Sequence, residues 1–158
     1  MRIALYQPDM PPNTGTILRL GACMGVAIDI IEPCGFPFSL RALRRYGMDY
    51  LDHADIRRHL SWEAFLDHLE ENHRGARLIL LTTRAATPYT DLTYRPDDVL
   101  LLGQESAGVP DHVHQRADQR VCIPMAKGLR SLNVAVAAAM VCGEALRQTN
   151  QFPIKEGI

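Results

Sequence analysis

Three separated polar stretches each hold residue types that can do chemistry. Asn13 and Arg19 stand six residues apart in a segment otherwise apolar or small. Gly103 and Gly108 flank Glu105 just after an apolar run. Lys127, Gly128, Arg130, Ser131 and Asn133 fill a basic loop that opens an alanine-rich helix. Neither G-x-G-x-x-G nor G-x-x-x-x-G-K-[ST] occurs, so the usual phosphate cradles are missing. Arginine stays protonated to a pKa above ~12, so Arg19 is a poor base and a better phosphate ligand. By its surroundings alone Arg19 is equally a solvated residue with its stem on apolar surface. Ser131 and Asn133 read equally as polar groups at a helix start, with Ser131 a plausible cap for its first turn. His112 and His114 lie two apart and face different ways on a helix. Cys23, Cys34, Cys122 and Cys142 show no C-x-x-C spacing, so a metal or disulfide framework is not expected.

The elements that must position these groups follow from apolar periodicity. Strands are expected over residues 2–6, 27–31, 77–82, 99–103 and 120–123, each short and apolar. A further, polar strand is expected around 54–58. Asn13 reads as the cap of a helix running to about Met24, and Ser39 as the cap of a basic helix through Tyr46. Trp62, Phe65, Leu66 and Leu69 recur at helical spacing over 61–73. A short helix is expected near 111–116. The last helix is apolar nearly all round through Cys142, which predicts burial. Residues from about 148 or 149 onward read as a loose tail. Apolar strands alternating with helices make the class α/β with a mostly parallel sheet. In such sheets ligands sit outside the carboxyl ends of strands. Those ends are Leu81-Thr82-Thr83, Leu102-Gly103 and Ile123-Pro124-Met125, which converge only if their strands are neighbours.

At 158 residues the chain suits one domain spanning 1–158. Its 47% hydrophobic and 22% charged residues are ordinary for a soluble protein. The net charge of −1 gives no global field for nucleic acid, so any RNA contact needs basic residues gathered locally. No signal peptide opens the chain and no run nears the ~20 apolar residues a bilayer span needs, so a cytoplasmic location without membrane is expected.

The segment Val-Cys-Ile-Pro-Met-Ala-Lys-Gly-Leu-Arg-Ser-Leu-Asn from Val121 to Asn133, with the helix after it, resembles the third motif of the SPOUT class of RNA methyltransferases. Asn13-Thr14-Gly15-Thr16-Ile17-Leu18-Arg19-Leu20 resembles the first motif, and Leu102-Gly103-Gln104-Glu105-Ser106-Ala107-Gly108-Val109-Pro110 the second. The opening Tyr6-Gln7-Pro8-Asp9-Met10-Pro11-Pro12-Asn13-Thr14-Gly15, with Ile31-Glu32-Pro33 and Leu43-Arg44-Arg45-Tyr46-Gly47-Met48-Asp49-Tyr50, is similar to the minimal members that methylate the ribose of tRNA wobble nucleotide 34.

That resemblance implies helices on both faces of the sheet and a deep C-terminal trefoil knot, which sequence physics would not propose. It implies S-adenosyl-L-methionine (AdoMet) as methyl donor and no metal. It places Leu81, Thr82, Gly103, Glu105, Gly108, Ile123, Met125, Ser131 and Leu132 at the cofactor, with Ile123, Met125 and Leu132 walling the adenine on one side and Leu81 on the other. Glycine-relieved turns can read adenine and ribose, and Glu105 can face the sulfonium or equally cap the next turn. The resemblance further gives Asn13, Arg19, Glu105, Ser131 and Asn133 the catalytic roles. RNA contacts are expected at Arg41, Arg44, Arg45, Lys127 and Arg130, with the tRNA anticodon stem-loop as substrate and a homodimer as the assembly, the helix from Val134 to Met140 being a candidate contact face. Two alternatives remain: a 2′-O-methyltransferase of another tRNA or rRNA site, and a non-catalytic AdoMet- or RNA-binding module. A flavodoxin-like domain would need a phosphate loop after strand one, where this chain has two adjacent prolines and no glycine.

Overall fold

Six strands, all parallel, form one sheet in the order β3-β2-β1-β5-β4-β6 in a computed structural model that describes residues 1–154. They are β1 (Arg2–Tyr6), β2 (Ala27–Ile31), β3 (Ile56–His59), β4 (Leu78–Leu81), β5 (Val99–Leu102) and β6 (Gln119–Val121). The four inner strands are buried on both faces, which is why they read as apolar runs, broken in β2 only by the paired Asp29. Ile3, Leu5, Ile28, Ile30, Leu100 and Leu102 point to one face and meet helices α1 (Pro11–Met24) and α5 (Val134–Thr149). Ala4, Leu78, Leu80, Val99 and Leu101 point to the other and meet Trp62 and Phe65 of α3 (Trp62–Asn72) and Val113 of α4 (Asp111–Arg116).

Two part-buried arginine forks tie neighbouring strands toward the amino end of the sheet. Arg2 donates to Asp29 through Nε at 2.7 Å and Nη2 at 3.1 Å. Arg77 donates to Asp98 through Nε at 2.9 Å and Nη2 at 2.7 Å. Both carboxylates are fully buried, and paired contacts of this kind are the strong ones. The carboxyl end stays open for a ligand.

The start of α1 and both ends of α5 differ from the sequence reading. Helix α1 starts at Pro11, with Met10 in the cap position, so Asn13 sits inside the first turn and is not the cap. Prolines suit that turn because their fixed φ matches the helix and the missing N–H has no partner there anyway. Asn133, not Ser131, caps α5, its Oδ1 accepting from Ala135 N at 2.9 Å and Val136 N at 3.2 Å. Helix α5 continues past Cys142 to Thr149 and ends on Asn150 in the left-handed region. Gln148 is therefore not tail: its Nε2 donates to Leu92 O at 3.0 Å and its Oε1 accepts from Tyr94 N at 3.0 Å. Of the expected tail, residues 155–158 lie outside the described residues. Helix α5 is also buried on one side only, with Val136 and Met140 exposed on the other. Between α1 and β3 lie α2 (Leu40–Gly47), capped by Ser39 as expected, and a 3-10 turn over Met48–His53.

Candidate active site

Strands β5, β4 and β6 are consecutive neighbours, so their carboxyl ends do converge. They open on a cavity of about 210 Å³. Leu81, Thr82, Gly103, Glu105, Gly108, Ile123, Met125, Ser131 and Leu132, the nine residues expected there, all line it. Val134 and Ala137 of α5 complete the floor.

The turn after β5 is shaped by its glycines. Gln104 N donates to Gly108 O at 2.9 Å and Gly108 N returns the bond to Gln104 O at 2.8 Å. A Cβ on Gly103 would lie 2.5 Å from the carbonyl carbon of Gly108, so only glycine lets the two backbones meet. Gly108 takes φ +66°, the left-handed region glycine enters without a Cβ penalty.

Behind the turn, residues from all three polar stretches join. Asn133 Nδ2 donates to Asn13 Oδ1 at 2.9 Å, and Asn13 Nδ2 donates to the Glu105 carboxylate. A small second cleft, lined by Asp9, Asn13, Gly103 and Glu105 among others, adjoins the main cavity there. Asn133 is thus both the helix cap and the first member of a relay that ends on Glu105.

Arg19 lines neither cleft. Gly15, where a Cβ would lie 2.6 Å from Tyr46 Cβ, lets α2 close onto α1. The 3-10 turn then holds Arg19, whose Nη1 lies 3.3 Å from Met48 Sδ while its guanidinium stacks 4.6 Å over the Tyr50 ring. Met48 holds an unfavourable φ of 59° at this contact.

Of the expected RNA residues, Arg41, Arg44 and Arg45 are exposed on α2, whose Leu43 and Gly47 are buried. Arg44 pairs with Asp52, and Arg45 lies 5.4 Å over the Tyr46 ring. Lys127 and Arg130 are exposed on the loop between two cavity residues, Met125 and Ser131. Among the described residues no group of three His, Cys, Asp or Glu side chains could hold a metal.

Residues 1–143 match the SpoU rRNA Methylase family. The chain belongs to that family. It is 62% identical over 146 residues to a tRNA (cytidine(34)-2'-O)-methyltransferase of Beijerinckia indica, covering 92% of this chain and 90% of that one. A solved structure described as giving insights into the 2-OH methylation of C/U34 on tRNA superposes with a TM-score of 0.87 at 40% identity, covering 93% and 94% of the two chains. An rRNA methyltransferase from Sinorhizobium meliloti, solved with AdoMet bound, superposes with a TM-score of 0.81 at 29% identity, over 92% of this chain and 55% of that one.

Within this SpoU-family site, sequence reasoning gave no role to Asp9, Gly35, Met48 or Tyr50. Asp9 Oδ1 accepts from Glu105 N at 3.1 Å, and its Oδ2 accepts from Ser106 N at 3.3 Å and from the Ser106 hydroxyl. The one available signal was an acidic residue inside the proline-rich loop that follows the first strand.

Proposed function

We propose that the chain transfers the methyl group of AdoMet to the ribose 2′-OH of nucleotide 34 in tRNA. The observation that carries this reading is the convergence of all three polar stretches on one cavity, in a SpoU-family chain. The cavity fits the donor chemically. Leu81, Ile123, Met125 and Leu132 offer apolar walls for an adenine, and Gly103 with Gly108 brings backbone amides and carbonyls close enough to read polar edges. Bound AdoMet supplies an electrophilic methyl on a sulfonium centre. Glu105 would offer that cation a carboxylate, oriented by Asn13, which Asn133 orients in turn. Ser131 lines the same wall.

The ribose hydroxyl is a poor acid, so the chain must align it and help its proton leave. Arg19 is the group for that task. As a permanent cation it holds the RNA phosphate and orients it to receive the proton, without serving as the base. Since Arg19 lines neither the main cavity nor the small cleft beside it, this reading gives it to the cavity of a second copy in a homodimer. Exposed Val136 and Met140 on α5, with Leu132 nearby in sequence, supply the apolar contact face. Sedimentation as a monomer at micromolar concentration would remove the dimer.

Arg41, Arg44, Arg45, Lys127 and Arg130 hold the anticodon stem-loop. The trefoil knot is supported by the segment between β4 and β5, which touches both what enters and what leaves the loop before α5. Cys122 N donates to Thr87 O at 2.9 Å, Tyr89 N donates to Cys122 O at 2.8 Å, and Gln148 of α5 bonds the same segment. One sheet drawing strands from Arg2 to Val121 supports a single domain. No helix among the described residues is long and apolar enough to cross a membrane, in keeping with cytoplasmic action on tRNA.

Incubation with labelled AdoMet and bulk tRNA, nuclease digestion and mass spectrometry test the reading. A ribose methyl on the first anticodon letter is expected. A methylated base would overturn it, and a ribose methyl elsewhere would move the activity to another RNA site.

A further inference from the structure

We propose that Asp9 is a positioning residue for the methyl-donor cavity, acting through the turn that carries Glu105. The inference rests on reading that cavity as the AdoMet site. Asp9 comes from the loop after β1 and does not line the main cavity, so it cannot act by direct contact there. It lines the small cleft behind, with Asn13 and Glu105.

The turn it meets is exposed from Glu105 to Gly108 and bonds to itself only through the Gln104–Gly108 pair. Amides in such a turn face water unless something fixes them. Both Asp9 carboxylate oxygens do so, taking the amides of Glu105 and Ser106 and the Ser106 hydroxyl. Asp9 therefore clamps the backbone of Glu105, while Asn13 clamps its side chain. Burial pushes the Asp9 carboxyl upward, but hydrogen bonds from Ser106 and Glu105 outweigh it and hold the group below its usual range. It is ionised wherever the enzyme works, which makes these bonds charge-assisted.

Asp9 is itself backed by the loop after β2. Gly35 N donates to Pro8 O at 2.9 Å, and a Cβ on Gly35 would lie 2.8 Å from Asp9 Cβ. That loop leads into α2 with Arg41, Arg44 and Arg45. Asp9 is thus wedged between the loop that precedes α2 and the turn that carries Glu105.

The test uses the full chain with Asp9→Asn, Ser106→Ala, Gly35→Ala and the Asp9→Asn/Ser106→Ala pair. Calorimetry reads AdoMet binding, steady-state kinetics read KM for AdoMet and for tRNA, and thermal melts read folding. Asp9→Asn keeps size but turns an amide donor toward two donors. It should weaken AdoMet binding and raise its KM by about tenfold, the loss expected for charge-assisted bonds. KM for tRNA should stay within about twofold, a split that general destabilisation would not give. The double variant should lose less than the two single losses multiplied, because they share one contact. Gly35→Ala should weaken AdoMet binding although it lines no cleft, and it carries the test together with Ser106→Ala if Asp9→Asn does not fold. Wild-type affinity for AdoMet in these variants, or equal rises in both KM values, would overturn the inference. Failure of the wild type to bind AdoMet would instead overturn the reading of the cavity, and Asp9's role with it.

Discussion

Asn133 donates from Nδ2 to Asn13 Oδ1 at 2.9 Å, a side-chain bond between residues 120 positions apart. The same side chain caps α5 through its oxygen, so one amide does two separable things. Asn133→Ala removes both and should cost about 1 kcal/mol for the cap. In a chain of this size that lowers the melting midpoint by about 2–4 °C. Asn133→Asp keeps a cap and adds a charge the helix start favours. It has no hydrogen to give Asn13. The aspartate variant should therefore melt like the wild type and still turn over far more slowly. Equal activity in the two would show that the relay to Glu105 is idle.

The glycine pair in the second stretch gives a different test. Gly103→Ala would set a Cβ 2.5 Å from backbone, not from a pliable side chain, so the turn must move. Such overpacking costs about 1–3 kcal/mol. Denaturant unfolding should read that loss, and calorimetry a fall in AdoMet affinity of about tenfold or more. Retained affinity would mean that the close approach of Gly103 and Gly108 has no part in the cavity.

What sequence could and could not deliver follows from which forces act locally. The central strands are legible because burial on both faces writes a largely apolar run. The nine cavity residues are legible through the resemblance of three separated motifs; the local pattern by itself marks only where the strands end. Residue β3 bounds are less so: at the sheet edge, Arg57 and Arg58 are exposed, and apolar periodicity barely marks the strand. Ser131 and Asn133 are equally good caps by type, and neighbouring residues do not choose between them. A partner from α1, Asn13, accompanies the choice of Asn133. Asn13 itself reads as a cap only if Pro11 and Pro12 are taken as loop, whereas the first helical turn accepts both. Asp9 escaped because its partners lie almost a hundred residues away, at Glu105 and Ser106. Spacing along the chain holds no trace of that meeting.

Phosphate binding predicts a steep salt response. Affinity for an anticodon stem-loop should fall with salt by a log-log slope of about 0.7–0.9 for each phosphate held. Arg41→Ala, Lys127→Ala and Arg130→Ala should each lower that slope by about one contact's worth. Arg44 already pairs with Asp52, but both side chains are 52% exposed, and such pairs contribute only about 0–1 kcal/mol. Asp52→Ala should therefore free Arg44 and strengthen tRNA binding modestly. Filter binding across salt concentrations reads both effects; a flat response would remove this patch from the interface.

Arg19→Ala separates binding from chemistry. Since Arg19 lines neither cleft, AdoMet affinity should match that of the wild type. Methyl transfer should nearly vanish, and mixing this variant with a cavity variant such as Gly103→Ala should restore part of it if subunits exchange. Restoration is expected because a mixed dimer pairs one intact Arg19 with one intact cavity. Intact turnover by Arg19→Ala alone would remove the residue from the mechanism.

Acid should weaken the fold before it protonates the carboxylates. His68 Nδ1 meets Asn72 Nδ2 at 2.9 Å, and His68 Nε2 is buried without a partner. Burial first, then the charges of Arg57 and His59, hold its pKa below the ordinary 6.5. His73 is lowered in the same direction, again by burial first and then by Arg2. The unfolded chain therefore takes up these protons more readily than the native one. Their contribution to stability is complete above pH 6.5 and is lost as pH falls from there through the lowered native values. The slope is at most about 1.4 kcal/mol per pH unit for each histidine, less where solvent reaches the ring. Urea midpoints should decline between pH 7 and pH 5.5, and less steeply in His68→Gln. A midpoint independent of pH in that window, or one that rises toward acid, would contradict the lowered pKa of these histidines.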